Sequence, residues 1–293
     1  MDFGRLVTAM VTPFDEQLQI SWSELERLIE HLIVDQKSDS LVVCGTTGES
    51  PTLSDEEKLE LFAFAKKQAG GRCKIIAGTG SNNTAHSIHL TKQAEQVGVD
   101  GVLVVSPYYN RPNDEGLYQH FKAIAESTSL PVMLYNIPSR TGVTLSAETT
   151  LRLAQLPNIV ATKESTGDLD IMTRIAAGAP EGFRLYSGDD NLTLPLLAVG
   201  GYGVVSVASH IIGSEIRELI DTYVKGDVAA AAKLHQDLHP IFKGMFECPH
   251  RVPNPAPIKY ALQLSGYAVG GLRLPMVAVT EQEGRFIADL LRK

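Results

Sequence analysis

Two runs, Pro131-Val132-Met133-Leu134-Tyr135 and, after a helical interval, Asn158-Ile159-Val160-Ala161-Thr162-Lys163, read as successive strands of one βα unit. Both are short and rich in β-branched or other apolar residues, and each ends on a polar side chain. Working outward, the same kind of run recurs at residues 6–11, 40–44, 74–78, 101–105, 183–187 and 203–207, with amphipathic segments between. An interval of roughly 25 to 30 residues is the rhythm of repeated βα units. About eight such strands is the number that closes a (β/α)₈ TIM barrel.

The intervening helices carry start signals. Ser21 stands three residues ahead of Glu24, and Ser54 three ahead of Glu57, the spacing of a capping box. Beyond the eighth strand the helical pattern continues through 214–224, 228–247 and 256–264. The reading is therefore an α/β barrel over residues 1–224 with a C-terminal helical extension over 225–293. A doubly wound open sheet shares the alternation, but its dinucleotide fingerprint is missing. Gly78-Thr79-Gly80-Ser81 lacks the third glycine and reads as a tight loop at a strand end.

Composition narrows the function. A chain of 293 residues buries about three quarters of its unfolded surface and needs no disulfide or metal to be stable. Its net charge of −8 and the absence of a basic run argue against nucleic acid. Cys44, Cys73 and Cys248 are odd in number and scattered, which suits free thiols in a reducing compartment. The first residues, Met1-Asp2-Phe3-Gly4-Arg5, lack a secretion pattern and no apolar run approaches a membrane span, so cytoplasmic residence is expected. Histidines including His86, His89, His210, His235, His239 and His250 form no cluster with carboxylates at strand ends, so no metal site is predicted. His86 and His89 read as a solvated helix face, and Asp189-Asp190 as helix N-capping.

In barrels of this kind chemistry sits where the strands end. Strand two runs into Gly45-Thr46-Thr47-Gly48-Glu49-Ser50, strand four into Ser106-Pro107-Tyr108-Tyr109-Asn110, strand five into Tyr135-Asn136, and strand six into Lys163-Glu164. Period-two alternation puts Ile159, Ala161 and Lys163 on one face. If that face is the interior, Lys163 loses hydration and the neutral, nucleophilic amine is favoured; the alternative is a lysine that pairs with Glu164 or reaches solvent. Tyr135 is either a proton shuttle or a buried aromatic with a satisfied hydroxyl, and Thr46 is able to link it to Tyr109. The Gly45–Gly48 turn either offers N–H groups and hydroxyls to a small carboxylate or is a plain turn. Arg140 is either a two-point clamp on a second carboxylate or a rim ion pair.

With Gly45-Thr46-Thr47-Gly48-Glu49-Ser50, Tyr135-Asn136-Ile137-Pro138 and Lys163-Glu164-Ser165-Thr166-Gly167 in order at barrel spacing, the chain resembles the dihydrodipicolinate synthase family along nearly its whole length. Pro107-Tyr108-Tyr109-Asn110-Arg111-Pro112, Ser139-Arg140-Thr141-Gly142 and Ser187-Gly188-Asp189-Asp190 extend the match. The first three motifs are shared with the wider pyruvate-dependent Schiff-base aldolases, including N-acetylneuraminate lyase. The resemblance implies condensation of pyruvate with L-aspartate-4-semialdehyde to 4-hydroxy-tetrahydrodipicolinate, without a cofactor, in lysine and diaminopimelate synthesis.

It also implies roles. Lys163 would be the Schiff-base nucleophile, Tyr135 the general acid and base, Thr46 the relay, and Tyr109 its completion from a neighbouring subunit of a homotetramer built as a dimer of dimers. Thr47 would hold the pyruvate carboxylate and Arg140 that of the semialdehyde, while Gly188 and Val205 would line the pocket. At the family's lysine-feedback site Ser50, Asn82 and Tyr108 match, but Lys58 and His86 stand where a histidine and a glutamate are usual, which predicts weak or absent inhibition. The rival readings are another aldolase of the superfamily, cleaving a sialic or 2-keto-3-deoxy sugar acid, and a non-catalytic scaffold, whose usual mark is loss of the nucleophile.

Overall fold

The computed structural model describes residues 2–292, and among them eight strands and twelve α-helices form. The strands are β1 (Leu6–Ala9), β2 (Ser40–Val43), β3 (Lys74–Gly78), β4 (Gly101–Val105), β5 (Val132–Asn136), β6 (Ile159–Glu164), β7 (Arg184–Ser187) and β8 (Gly203–Ser206). All neighbours pair in parallel, and β8 returns to β1 to close the barrel. The helices are α1 (Trp22–Val34), α2 (Asp55–Ala69), α3 (Thr84–Val97), α4 (Asp114–Ala125), α5 (Pro138–Thr141) and α6 (Ala147–Leu153). They continue as α7 (Leu169–Gly178), α8 (Thr193–Ala198), α9 (Ser209–Val224), α10 (Val228–Gly244), α11 (Ala256–Leu264) and α12 (Glu281–Leu291). The barrel is the predicted one, and no helix among the described residues is long and apolar enough to cross a membrane.

Alternation sorts each strand between two cores. Val7, Ala9, Val42, Ile76, Leu103, Met133, Tyr135, Ala161, Tyr186 and Val205 fill the interior. Leu41, Val43, Ile75, Val102, Val104, Val132 and Leu134 face the helices. Each buried aliphatic side chain contributes about 1.5–3 kcal/mol, so a one-residue slip of any strand would invert a whole row of them.

One slip does occur, and it corrects the alternation read from the sequence. β5 pairs Val132 with Ile159 but Met133 with Ala161, so β6 carries an extra residue at Val160. Ile159 therefore packs with Val132 in the outer core, and only Ala161 and Lys163 keep the inward face.

Of the two expected capping boxes, Ser54/Glu57 forms, with Ser54 Oγ accepting from Glu57 N at 3.2 Å and Glu57 Oε2 accepting from Ser54 N at 2.9 Å. Ser21/Glu24 does not. Its glutamate is drawn away to Arg27 Nη1 (2.7 Å) and to the backbone N–H of Ala268 (3.0 Å). A third box, Thr280/Glu283, opens α12, which the sequence reading left out. α9 begins five residues before the predicted start, at Ser209, because a break at Ile212 (φ −134°) hides the periodicity of its first turn.

Candidate active site

Tyr135 and Lys163 end neighbouring strands and stand opposite each other in register. Lys163 is 5% exposed, and its Nζ lies 4.1 Å from the centroid of the Tyr135 ring. It joins no ion pair among the described residues. Glu164, the next residue, cannot be its partner because the pleat turns it to the opposite face. There the carboxylate accepts from Asn136 Nδ2 at 3.0 Å and from the backbone N–H of Thr166 at 2.9 Å. Burial pushes the Glu164 carboxyl up to about 7 against these bonds.

Small neighbours leave room around the amine. Ala161 lies one pleat below, and Gly188 follows β7 directly beside the lysine stem. A Cβ on Gly188 would stand 2.9 Å from Lys163 Cε and nearer still to Ser165 Oγ, a buried hydroxyl with no hydrogen-bond partner. Glycine is required there by close approach rather than by backbone angle. Asp189 makes no capping bond, and Asp190 caps a different turn from the predicted one. Its carboxylate accepts from Val207 N (3.1 Å), Ala208 N (3.0 Å) and Ser206 Oγ, tying β7 to the start of α9.

Across the mouth, the chain leaves β2 through Gly45–Ser50. Gly48 N donates to Gly45 O and Glu49 N to Thr46 O, both at 3.1 Å, which folds the loop back over the strand end. Cys44 (φ 56°) and Glu49 (φ 58°) are left-handed without being glycine. So are Tyr109 (φ 74°) and Arg111 (φ 48°) on the next-but-one loop. Such strain persists only where the surroundings over-determine it.

At Glu49 the surroundings come from α11 and the segment that follows it. Its carboxylate receives Lys259 Nζ at 2.7 Å and the N–H of Arg273 at 3.0 Å. Lys259 also donates to Gly271 O at 2.7 Å, and burial pulls it down to about 8 despite the Glu49 charge. Arg273 forms a two-pronged pair with Glu57 at 2.6 and 2.8 Å. Asn254 Nδ2 donates to Thr47 Oγ1 at 2.9 Å. The sequence reading passed over Asn254, Lys259 and Arg273. Lys259 left a signal, a single lysine within the otherwise apolar start of α11.

A cavity of about 630 Å³ opens above the mouth. Thr46, Tyr135 and Arg140 line it, together with Ser50, Lys58, Asn82, His86 and Tyr108. Lys163, Thr47, Gly188 and Val205 lie outside this lining; Val205 is wholly enclosed in the barrel interior. Arg140 projects from α5 and has no carboxylate partner among the described residues.

Tyr109 does not reach its own chain's site. It is 90% exposed, on a loop pinned by Asn82 Nδ2 to Tyr108 O (3.1 Å) and Asn110 Nδ2 to Asn82 O (2.9 Å). His86 is not merely solvated. Its Nε2 meets Asp55 at 2.7 Å, and Lys58 approaches the same carboxylate at 3.5 Å.

Known proteins are similar to this chain over nearly their whole length. The dihydrodipicolinate synthetase family model matches residues 2–293. The 4-hydroxy-tetrahydrodipicolinate synthase of Bacillus velezensis is 58% identical, covering 99% of each chain, and that of Bacillus subtilis is 57% identical, covering 97% of this chain and 96% of its own. The crystal structure of a dihydrodipicolinate synthase from Bacillus anthracis superposes with a TM-score of 0.96 at 49% identity, covering 100% of this chain and 99% of its own. The enzyme from Cyanidioschyzon merolae, solved with lysine bound, also reaches 0.96 at 45% identity, over 99% and 97% of the two chains. Coverage and identity of this order extend from the strand ends through the C-terminal helices, and the chain belongs to the dihydrodipicolinate synthetase family.

Proposed function

We propose that this chain condenses pyruvate with L-aspartate-4-semialdehyde to give 4-hydroxy-tetrahydrodipicolinate, a lyase reaction on the route to diaminopimelate and lysine. The observation that carries the reading is Lys163, a buried amine without an ion-pair partner, set against Tyr135 at the strand ends. Lys163 Nζ attacks C2 of pyruvate, and water leaves to form an iminium. That cation withdraws electrons from the methyl carbon, so a proton is lost to a base and an enamine forms without a metal or organic cofactor.

The enamine carbon attacks the aldehyde, whose oxygen takes a proton. The semialdehyde's own amine then displaces Lys163 at C2 and closes the ring. Tyr135 serves as the general acid and base, relaying protons through Thr46 and through Tyr109 of a neighbouring subunit. Thr47 holds the pyruvate carboxylate and Arg140 that of the semialdehyde, while Gly188 and Val205 give the adduct space.

In this reading the enzyme works in the cytoplasm as a homotetramer of two dimers, and the outward Tyr109 is what supports the shared site. Residues 225–293 form a helical extension that braces the Thr46–Thr47 loop through Asn254 and Lys259. Lysine inhibits weakly or not at all, because Lys58 adds a cation, and His86 engages Asp55, where binding a cationic effector would need free negative charge. Titration calorimetry with lysine is expected to show no saturable heat; a tight isotherm would contradict this. The function is tested by a coupled assay with both substrates. No consumption of the semialdehyde, or faster cleavage of N-acetylneuraminate, would reject it.

A further inference from the structure

The outer faces of β5 and β6 carry a polar cluster that the proposed chemistry does not use. Asn136 and Glu164 directly follow Tyr135 and Lys163, pair in register and are fully buried. A polar pair buried to this degree is costly unless its bonds are made. Asn136 makes them. Its Nδ2 donates to Glu164 Oε2 (3.0 Å) and to Leu145 O (2.9 Å), and its Oδ1 accepts from Leu145 N (2.9 Å).

Leu145 is the far end of a loop that leaves β5 at Ile137 and carries Arg140 on α5. The two bonds to Leu145 thus close residues 137–144 into a ring anchored on the strand end. Glu164 secures the other side, accepting from Thr166 N (2.9 Å) with its second oxygen, while its backbone carbonyl accepts from Gly188 N (2.8 Å). One network therefore touches the segments bearing Tyr135, Lys163, Gly188 and Arg140. The Thr46–Thr47 loop is held by a different one, through Glu49, Lys259 and Asn254.

We infer that Asn136 and Glu164 are positioning residues that latch the Arg140 loop over the Lys163–Tyr135 pair and so set recognition of the second, carboxylate-bearing substrate without touching it. The inference rests on the proposed function, and its test separates the two. Asn136→Ala removes both bonds to Leu145, and two neutral hydrogen bonds correspond to roughly tenfold in affinity. The expected result is a KM for the semialdehyde raised about tenfold, a KM for pyruvate within about twofold of wild type, and an undiminished yield of borohydride-trapped pyruvate adduct.

Glu164→Gln keeps the volume and the Leu145 bonds, so a rise of about two- to threefold for the semialdehyde alone is expected; it provides the test if Asn136→Ala fails to fold. Equal increases for both substrates, loss of the pyruvate adduct, or no change in either KM would overturn the latch. Failure of the wild-type enzyme to form the adduct would instead overturn the reaction itself.

Discussion

Three lysines are buried among the described residues, and while Lys58 simply approaches Asp55, the surroundings of Lys163 and Lys259 differ in one respect. Lys163 and Lys259 are 5% and 1% exposed, and each Nζ sits over an aromatic ring, at 4.1 Å from Tyr135 and 4.3 Å from Phe14. Lys259 is then completed by Glu49 and by Gly271 O. Among the described residues, Lys163 receives neither a carboxylate nor a carbonyl. A buried lysine whose hydrogen bonds are made by the protein is held in place, whereas one left without such partners is open to a substrate. Burial alone does not mark a nucleophile; in the proposed reading it is burial without partners, beside a phenol and a glycine, that singles out Lys163.

The sharpest break in the comparison is to delete each amine. Lys163→Ala is expected to abolish the pyruvate adduct and lower kcat by about 10⁴-fold or more, as for loss of other covalent nucleophiles, with a thermal midpoint close to wild type. Lys259→Ala should behave in the opposite way. Glu49 would be left buried without its cation, costing about 3–5 kcal/mol of stability, measurable by urea unfolding, while the protein that remains folded still traps pyruvate at full stoichiometry. Adduct loss in both variants would erase the distinction.

Gly188→Ala sharpens it further by leaving the amine in place and disturbing only its stem. A methyl in contact with Lys163 Cε and Ser165 Oγ must displace one of them, and a shift of about 1 Å at a reacting atom costs on the order of 10²-fold in kcat. Single-turnover trapping kinetics would read this directly, and a wild-type rate would show the contact to be relieved without effect.

The smallest expected effect is on pH dependence. Glu164 titrates at about 7 in the folded state against an ordinary 4.5, so folding favours its protonated form. Its stabilising contribution is complete below pH 4.5 and is lost as pH rises through 7. Buried His210 and His120 have the opposite sign. Their values fall from 6.5 to about 4, so their contribution is complete above pH 6.5 and is lost as pH falls through 4. Subtracting the stability profile of Glu164→Gln from that of wild type isolates the carboxyl. The difference should change by about 3 kcal/mol across pH 4.5–7, and a flat difference would refute the assignment.

What the sequence disclosed follows from which interactions are local. The strands were legible because apolar runs and polar strand ends repeat along the chain; Lys163 and Tyr135 were singled out as candidates because they fall at such ends, and Thr46 and Arg140 because they lie on the segments that follow. The bulge at Val160 was not legible, since an extra residue leaves the composition of the run unchanged and shows only against its partner strand. The Ser21/Glu24 box failed because Ala268, distant in sequence, competes for the glutamate. Asn254, Lys259 and Arg273 reach the β2 loop from more than 200 positions away, as the Asn254–Thr47 bond does across 207, and no local pattern encodes such a brace. Asn136 and Glu164 were quoted with their motifs, yet their outward pairing required the register of β5 against β6.

The most direct measurement is reductive trapping followed by peptide mapping. The folded protein is incubated with pyruvate, reduced with borohydride, digested and analysed by mass spectrometry. The account predicts one reduced pyruvyl group per chain, on the peptide containing Lys163, with the Lys259 peptide unmodified. A pyruvyl group on Lys259, or an equal yield from Lys163→Ala, would contradict it.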